Sequence, residues 1–398
     1  MDVLARLLAP LEPSVFFRET WERRHLLLRR SAPGHYASLL SLEDVEAVIR
    51  FIDAASPKPD VRVIRQTGER FEARPAPDQG IASLRDVHDA YSRGFTVVVN
   101  NVERRWAPVT ELCRGLEAVF QSRVTANIYL TPRGAQGFPR HYDTHDVFVL
   151  QIAGTKGWRV YGARVPLPMP APPDERPPLP ASTDPGEPCE LTSGDLLYIP
   201  RGHEHEARTE TGSSLHLTIG VHVTRWADLL TDAVRHAAER DVRLREAVPP
   251  EWLHGGAPPR AVIDRLDDLL RGAAGAVDEH ALLADRARKF LADRQPSVAG
   301  HFASLDRLPD LSAASRLRRR PHYTCVVAVR DGSATLRFGG NWIDAPERLA
   351  PQLSFVAANE TFTPADLPGP LDETGKLVLV RRLVREGLLS IDEPGGDA

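Results

Sequence analysis

The chain has few of the residues that would tie it to an oxidising compartment. It carries only three cysteines, Cys113, Cys189 and Cys325, odd in number, far apart and without a CxxC pair. A disulfide framework and a zinc–cysteine site are therefore not expected, and a reducing cytoplasm is the natural compartment. No apolar run approaches the roughly 18 residues of a membrane span. The opening stretch, MDVLARLLAPLEPSVFF, lacks a basic n-region, and Arg6, Pro10 and Glu12 break its apolar run, which argues against a signal peptide. A dominant charge is missing as well. The formal net charge of −4 gives no global field that would draw the chain to nucleic acid or an anionic membrane. Nor is there the apolar poverty of a disordered chain. With 42% apolar and 26% charged residues over 398 positions, two or three domains can each bury a core.

What is present changes character along the chain. Residues 1–60 read as helices, with Ser41-Leu-Glu-Asp44 shaped like a capping box ahead of an apolar-periodic run to Ile52. Ser83–Tyr91 reads as a short helix, Phe95–Val99 as a buried strand, and Val109, Leu112, Leu116, Val119 and Phe120 as one face of an amphipathic helix. From about 124 to 223 the pattern is that of strands: Val124–Leu130, Asp146–Ala153, Trp158–Tyr161, Asp195–Ile199 and Leu215–Val223, separated by Gly, Pro and Asp turn signals. Short strands at this spacing predict a barrel or jelly roll. Between 166 and 188, ten of 23 residues are proline, so this stretch reads as an insertion loop and not an element.

Helical periodicity returns from Trp226 to about 295. After Arg316-Leu-Arg-Arg-Arg320, Tyr323–Val329, the Asp331-Gly332 turn and Ala334–Phe338 predict a β-hairpin, and helices follow at about 346–358 and 372–387. This last unit has the element order of a winged-helix-like domain.

The chemistry-bearing residues cluster in the strand-rich region. His141 and Asp143 in Gln136-Gly-Phe-Pro-Arg-His-Tyr-Asp143 are two apart and share one face of a strand. An imidazole and a carboxylate, joined by a second imidazole from elsewhere, make the facial triad of non-haem iron(II) oxygenases and leave three positions open for a bidentate 2-oxoacid and dioxygen. A second imidazole is available from Gly194-Asp-Leu-Leu-Tyr-Ile-Pro-Arg-Gly-His-Glu-His205, where a turn and a buried strand lead to a Pro/Gly corner bearing both His203 and His205. His145 and Asp146 form a rival pair, but adjacent strand residues face opposite ways. A 2-oxoglutarate site also needs a cation for the distal carboxylate. Lys156, in Gln151-Ile-Ala-Gly-Thr-Lys156-Gly-Trp158, is either that cation or a solvated hairpin-turn lysine.

Together these residues resemble the ribosomal oxygenase group of JmjC-type, cupin-like 2-oxoglutarate hydroxylases. The resemblance runs over nearly the whole chain. It rests on the stretch Phe16–Arg30, on Asn127-Ile-Tyr-Leu-Thr-Pro, Gln136-Gly, His141-Tyr-Asp143, Phe148-Val-Leu-Gln, Lys156-Gly-Trp-Arg and Gly194–Gly202, and on His216-Leu-Thr-Ile and Glu386-Gly-Leu-Leu. It implies an α+β chain in three parts. These are a double-stranded β-helix catalytic domain with N-terminal helices over 1–225, a helical dimerisation region over 226–310, and a winged-helix-like domain over 311–398.

The resemblance implies His205, and not His203, as the third iron(II) ligand, and Lys156 and Asn127 as 2-oxoglutarate contacts. It places Tyr129 on the substrate side and His216 near the pocket, where a satisfied core histidine is an equal expectation. Two departures stand out. Thr144-His145 follows the aspartate in place of a small or acidic residue, and Gly220 stands where a serine is common. The implied activity is hydroxylation of a C–H, at the β-carbon, of a histidine or arginine in a ribosomal protein, with succinate and CO2 as co-products. A ribosomally made precursor peptide is the alternative substrate, and a non-catalytic metal-binding cupin is the alternative from another class. A homodimer is expected, because the helical stripes of 226–295 need a partner. Nucleic-acid binding is not expected, despite the cluster Arg316, Arg318, Arg319 and Arg320, because no dense basic stripe accompanies it.

Overall fold

The computed structural model describes residues 3–50, 60–74, 84–171, 183–250, 259–294 and 299–392. It divides into two compact units, Met1–Val223 and Thr224–Ala398. Among the described residues no helix is long and apolar enough to cross a membrane.

The first unit opens with helices α1 (Val3–Leu8) and α2 (Pro13–Glu19), strand β1 (Leu26–Leu28) and helix α3 (Leu42–Ile49). The capping box read at Ser41 forms: Ser41 Oγ accepts from Asp44 N at 3.2 Å, and the Asp44 carboxylate accepts from Ser41 N at 2.7 Å. Strands β2 (Val61–Thr67) and β3 (Arg70–Arg74), helix α4 (Leu84–Ser92), strand β4 (Thr96–Val99) and helix α5 (Ala107–Phe120) precede the strand-rich core. That core comprises β5 (Arg123–Thr131), β6 (His141–Tyr142), β7 (Asp146–Ala163), β8 (Glu187–Thr192), β9 (Leu196–Ile199), β10 (His203–Arg208) and β11 (Ser214–His222).

One strand organises the core. β7 is 18 residues long. Its first half pairs with β9 and β11, and its second half with β8 and β10, so it passes from one sheet into the other. The larger sheet runs β1-β9-β7-β11-β5-β4-β2-β3, and β6 joins through β10. The expected double-stranded β-helix is present. The period-2 alternation of the strands divides the packing. Outward residues such as Phe148, Leu150, Tyr198, Leu217 and Ile128 are fully buried in one core with Leu4, Phe16 and Leu116 of the helices. Inward residues Val147, Val149, Leu197 and Ile199 meet Trp158, Val160 and Leu191 from the second sheet. Each large apolar side chain taken fully from water stabilises by roughly 1.5–3 kcal/mol, so both cores hold the two sheets at fixed separation.

The stretch Phe16–Arg30 clamps the outer face. Phe16 meets Tyr198 edge-on at 4.9 Å, Trp21 stacks on Tyr198 at 5.6 Å, and Leu26–Leu28 pair with β9. Its interpretation as helix throughout is corrected by β1, which the sheet edge recruits. The separate strand expected at Trp158–Tyr161 is a continuation of β7. The insertion loop expected to end at 188 ends sooner, because β8 begins at Glu187; residues 172–182 of that stretch lie outside the described residues. Ser83 also lies outside them, and the helix expected from it begins at Leu84.

The second unit carries helices α6 (Trp226–Arg240), α7 (Arg260–Ala276), α8 (Glu279–Ala292) and α9 (His301–Asp306). Strand β12 (Leu317–Arg319) follows. The predicted hairpin is β13 (Val326–Arg330) and β14 (Ser333–Phe338), closed by Asp331 and Gly332, both at positive φ as a type I′ turn requires. A third strand, β15 (Asn341–Pro346), extends it. Helix α10 (Ala350–Ala358), β16 (Thr361–Phe362), helix α11 (Glu373–Arg385) and β17 (Leu389–Ile391) complete the chain, with β12 between β16 and β17. The basic cluster is spent internally. Arg318 pairs with Asp392, Arg319 donates to the carbonyls of Asn359 and Tyr323, and Arg320 is buried.

Candidate metal centre

Three side chains converge on the inner face of the β-helix. One ligand atom each from His141, Asp143 and His205 lie within 4.8 Å of one another. The strand pairing brings them together, since His205 of β10 stands directly opposite His141 of β6. Their rings are 4.5 Å apart, and His205 Nε2 lies 3.7 Å from the Asp143 carboxylate. The Nδ1 of His141 is 2.8 Å from the Pro139 carbonyl, and that of His205 is 3.2 Å from the His203 carbonyl. If each Nδ1 carries the proton, as a carbonyl partner requires, both Nε2 lone pairs are free for a cation. Burial, reinforced by the neighbouring His141, lowers the His205 pKa to about 4, which keeps that ring neutral. Two imidazole nitrogens and one carboxylate, with no further His, Cys, Asp or Glu in the group among the described residues, suit an octahedral divalent cation that keeps open positions.

The competing histidine is turned away. The register of β10 against β7 slips between His203 and His205, a bulge that separates two side chains otherwise on one face. The His203 ring meets the Tyr161 carbonyl at 3.2 Å and is not in the group. The rival His145–Asp146 pair also divides. Asp146 is fully buried, accepting from Arg201 at 2.6 Å and Tyr198 at 2.8 Å, while His145 lines the cavity.

The three residues face a cavity of about 460 Å³ that also receives Lys156, Asn127, Tyr129 and His216. Lys156 is the largest departure from a surface reading. It lies inside β7 and not in a hairpin turn, only 4% exposed, and its Nζ donates to Thr131 Oγ1 at 2.9 Å. Gly154, two residues earlier, has φ +68° and faces the Ser213 carbonyl too closely for a side chain, so the strand bends there and does not reverse. Burial lowers the Lys156 pKa to about 7. Its hydrogen bond is to a hydroxyl, so among the described residues a charged Lys156 has no carboxylate beside it in the cavity wall to offset its desolvation.

Asn127 Oδ1 accepts from Asn101 N at 3.1 Å, and its side chain also hydrogen-bonds Tyr129, whose hydroxyl is pushed up to about 12 by burial. His216 lies parallel to Tyr129, with ring centroids 4.9 Å apart and an interplanar angle of 4°. Burial first, and the Lys156 charge second, hold His216 well below the usual histidine range. Among the described residues its Nδ1 is buried without a hydrogen-bond partner, and the ring lines the cavity.

Arg62 and Phe138, to which no motif assigned a role, also line the cavity. Arg62 comes from β2, in register with Val98 and through it with Tyr129, and its guanidinium lies 5.3 Å over the Phe138 ring. Phe138 itself stacks on Phe71 of β3. The period-2 alternation that sends Arg62 to the face opposite the buried Val61 and Val63 was the available signal, but it needed the strand order to place it.

Comparison with known proteins agrees with this architecture. Residues 102–229 match the model for the JmjC domain. Ribosomal oxygenase 2 of Rattus norvegicus is 32% identical over 340 residues, covering 81% of this chain and 71% of that protein. Ribosomal oxygenase 1 of Gallus gallus is 34% identical over 311 residues, covering 73% of this chain and 51% of that protein. Among solved structures, YcfD, a ribosomal oxygenase from Escherichia coli in complex with cobalt and 2-oxoglutarate, shares the fold. It has a TM-score of 0.56 and 19% identity, over 96% of this chain and 99% of that one. On the strength of its sequence identity to these relatives over most of its length, the chain belongs to the ribosomal oxygenase family of JmjC 2-oxoglutarate oxygenases.

Proposed function

We propose that this protein is an iron(II)- and 2-oxoglutarate-dependent protein hydroxylase whose metal is held by His141, Asp143 and His205. The single observation that carries the reading is the sharing of one cavity by that three-ligand group and the buried Lys156. When bound, iron(II) with 2-oxoglutarate supplies the oxidising power to hydroxylate an unactivated C–H, leaving succinate and CO2.

The chain's own residues do the rest. His141 and His205 present Nε2, oriented by carbonyls on their Nδ1 atoms, and Asp143 supplies the charge. Lys156 meets the distal carboxylate of the 2-oxoacid and Thr131 steadies its ammonium, while Asn127 holds the wall beside it. Tyr129 and His216, stacked in parallel, form a flat surface against which the substrate side chain is oriented. Trp158, 8% exposed, excludes water from the far side. The substrate in this reading is a ribosomal protein, and the position is the β-carbon of a histidine or arginine.

The three-part division at 1–225, 226–310 and 311–398, the last part a winged-helix-like domain, belongs to the same proposal. So does assembly as a homodimer through the helical part. Trp226, Leu230 and Val234 follow one another at helical spacing on α6 and are 82%, 66% and 43% exposed, a stripe that a second copy would cover. The test of function uses purified protein with iron(II), 2-oxoglutarate and ribosomal proteins from a strain lacking the gene. One ribosomal protein gaining 16 Da with stoichiometric succinate is the expected outcome. No mass gain, with cobalt and 2-oxoglutarate bound normally, would contradict the assigned substrate.

A further inference from the structure

The two departures from the family pattern, His145 after the aspartate and Gly220 in place of a serine, meet in space. Gly220 sits on the inward row Thr125–Gly220–Val147, so any side chain there would enter the cavity. A Cβ at that position would lie 2.7 Å from His145 Cδ2 and 2.9 Å from its Nε2, closer than real side-chain contacts allow. The imidazole of His145 already occupies the space. It is fixed there: it stacks on His222 with ring centroids 4.7 Å apart, and His222 Nε2 is 3.0 Å from Thr125 Oγ1. His222 is two residues beyond Gly220 on the same strand, so one face of β11 supplies both the gap and the ring that backs it.

The charges facing the cavity limit what this wall can accept. Arg62 contributes a guanidinium, and its Nε is buried without a partner. Among the described residues the lining carboxylates are Asp143, in the metal group, and Glu206, which accepts from Tyr161 Oη at 2.5 Å. A cationic target side chain laid against His145, His222 and Thr125 would meet imidazoles and a hydroxyl but no carboxylate in that wall to offset its desolvation.

We propose that Gly220 and His145 form one specificity-determining unit, in which the glycine cedes its side-chain volume to an imidazole that admits a neutral target side chain and excludes a guanidinium. This rests on the hydroxylase reading above and selects histidine over arginine within it. His145 touches the substrate; Gly220, His222 and Thr125 position it.

The test has a part that needs no substrate. Gly220→Ser alone should lower the melting temperature by several degrees, because overpacking has no free volume to relax into, and Gly220→Ser/His145→Ala should recover most of the loss. The second part uses the peptide around the residue modified in the ribosomal-protein test, beside a copy with arginine at the target. The wild type should favour the neutral target by at least about 100-fold in kcat/KM, a charge-mismatch effect, and His145→Ala should shrink that preference to under about tenfold. Cobalt binding and 2-oxoglutarate affinity of His145→Ala should stay within about threefold of wild type, since neither contact is removed. His145→Gln, of similar size and neutral, should keep most of the discrimination, which a merely structural role would not require. A wild-type enzyme that accepts arginine equally, or a His145→Ala variant with an unchanged preference, overturns the proposal. Additive melting losses in the double variant overturn the pairing itself. If no ribosomal protein is modified at all, the assigned substrate fails, while the pairing still stands or falls on the melting cycle.

Discussion

Two histidine–aspartate pairs lie within six residues of each other, and the fold treats them oppositely. His141 on β6 and Asp143 just past its end flank Tyr142 and turn both side chains toward His205. His145 and Asp146 are adjacent, so the strand sends them to opposite faces. Asp146 goes into the outer core with Arg201 and Tyr198, and His145 into the cavity wall. The difference teaches that residue type is a poor guide to a metal site, while spacing and partner are good ones. Asp146 is held by an arginine, whereas the Asp143 carboxylate stands beside two imidazole nitrogens, the donor set that a divalent cation takes.

Several substitutions would break or sharpen that contrast. The largest effect is expected at the first pair. Asp143→Ala should abolish cobalt binding, measured by absorption titration, with little change in melting temperature. Asp146→Ala should do the reverse, retaining cobalt but losing about 3 kcal/mol in urea unfolding, because it removes one of the two carboxylates that hold the buried Arg201 and strips Tyr198 of its acceptor. Equal effects of the two on metal and stability would erase the distinction.

Next comes the cation at the other end of the cavity. Lys156→Ala should weaken 2-oxoglutarate by roughly 30- to 1000-fold, about 2–4 kcal/mol for a charge-assisted bond left unmade in a dry pocket, without loss of metal. A change under about threefold, read by titrating 2-oxoglutarate against succinate, would mark Lys156 as unconnected with the cofactor.

A smaller effect follows from its lowered pKa. Burial alone sets it near 7, and a bound carboxylate restores the charged form and raises it. Below about pH 7 the free protein already holds the proton and affinity is full. Above it, binding must take up a proton, and affinity should fall by at most about tenfold per pH unit until the pH reaches the pKa of the complex. Calorimetry in buffers of different ionisation heat should register that uptake at pH 8 and little of it at pH 6. Flat affinity from pH 6 to 9 would contradict it. The smallest expected change is at the proposed dimer surface of α6: light scattering should read a dimer for the wild type and a monomer for Leu230→Asp, with cobalt affinity of the first unit within about threefold.

Much of this was legible in the residues, for identifiable reasons. Strands β5, β7, β9 and β11 have long alternating or doubly apolar runs because one face or both are buried, and their pattern survives without knowledge of their partners. The Ser41–Asp44 box was readable because capping is local. The elements that were missed depend on partners. β6 has only two residues and hence no period, and β10, HEHEAR, is polar on both faces because one face lines the cavity. Choosing His205 over His203 needed a bulge that no composition reveals, and the Gly220–His145 contact joins residues 75 positions apart across two strands. The glycines around Lys156 left a hairpin-turn reading open beside that of a cofactor cation, and the residue lies inside a continuous strand that bends at Gly154.

In the proposed site His141, Asp143 and His205 hold the metal while Lys156 anchors the 2-oxoacid in the same cavity. Cobalt titration followed by 2-oxoglutarate, monitored by visible absorption in the wild type, His205→Ala, His203→Ala and Lys156→Ala, tests it most directly. The predicted result is cobalt binding in all but His205→Ala, with the cobalt spectrum shifting on addition of 2-oxoglutarate at wild-type concentrations in His203→Ala but only at far higher ones in Lys156→Ala. Loss of cobalt in His203→Ala with retention in His205→Ala would contradict it.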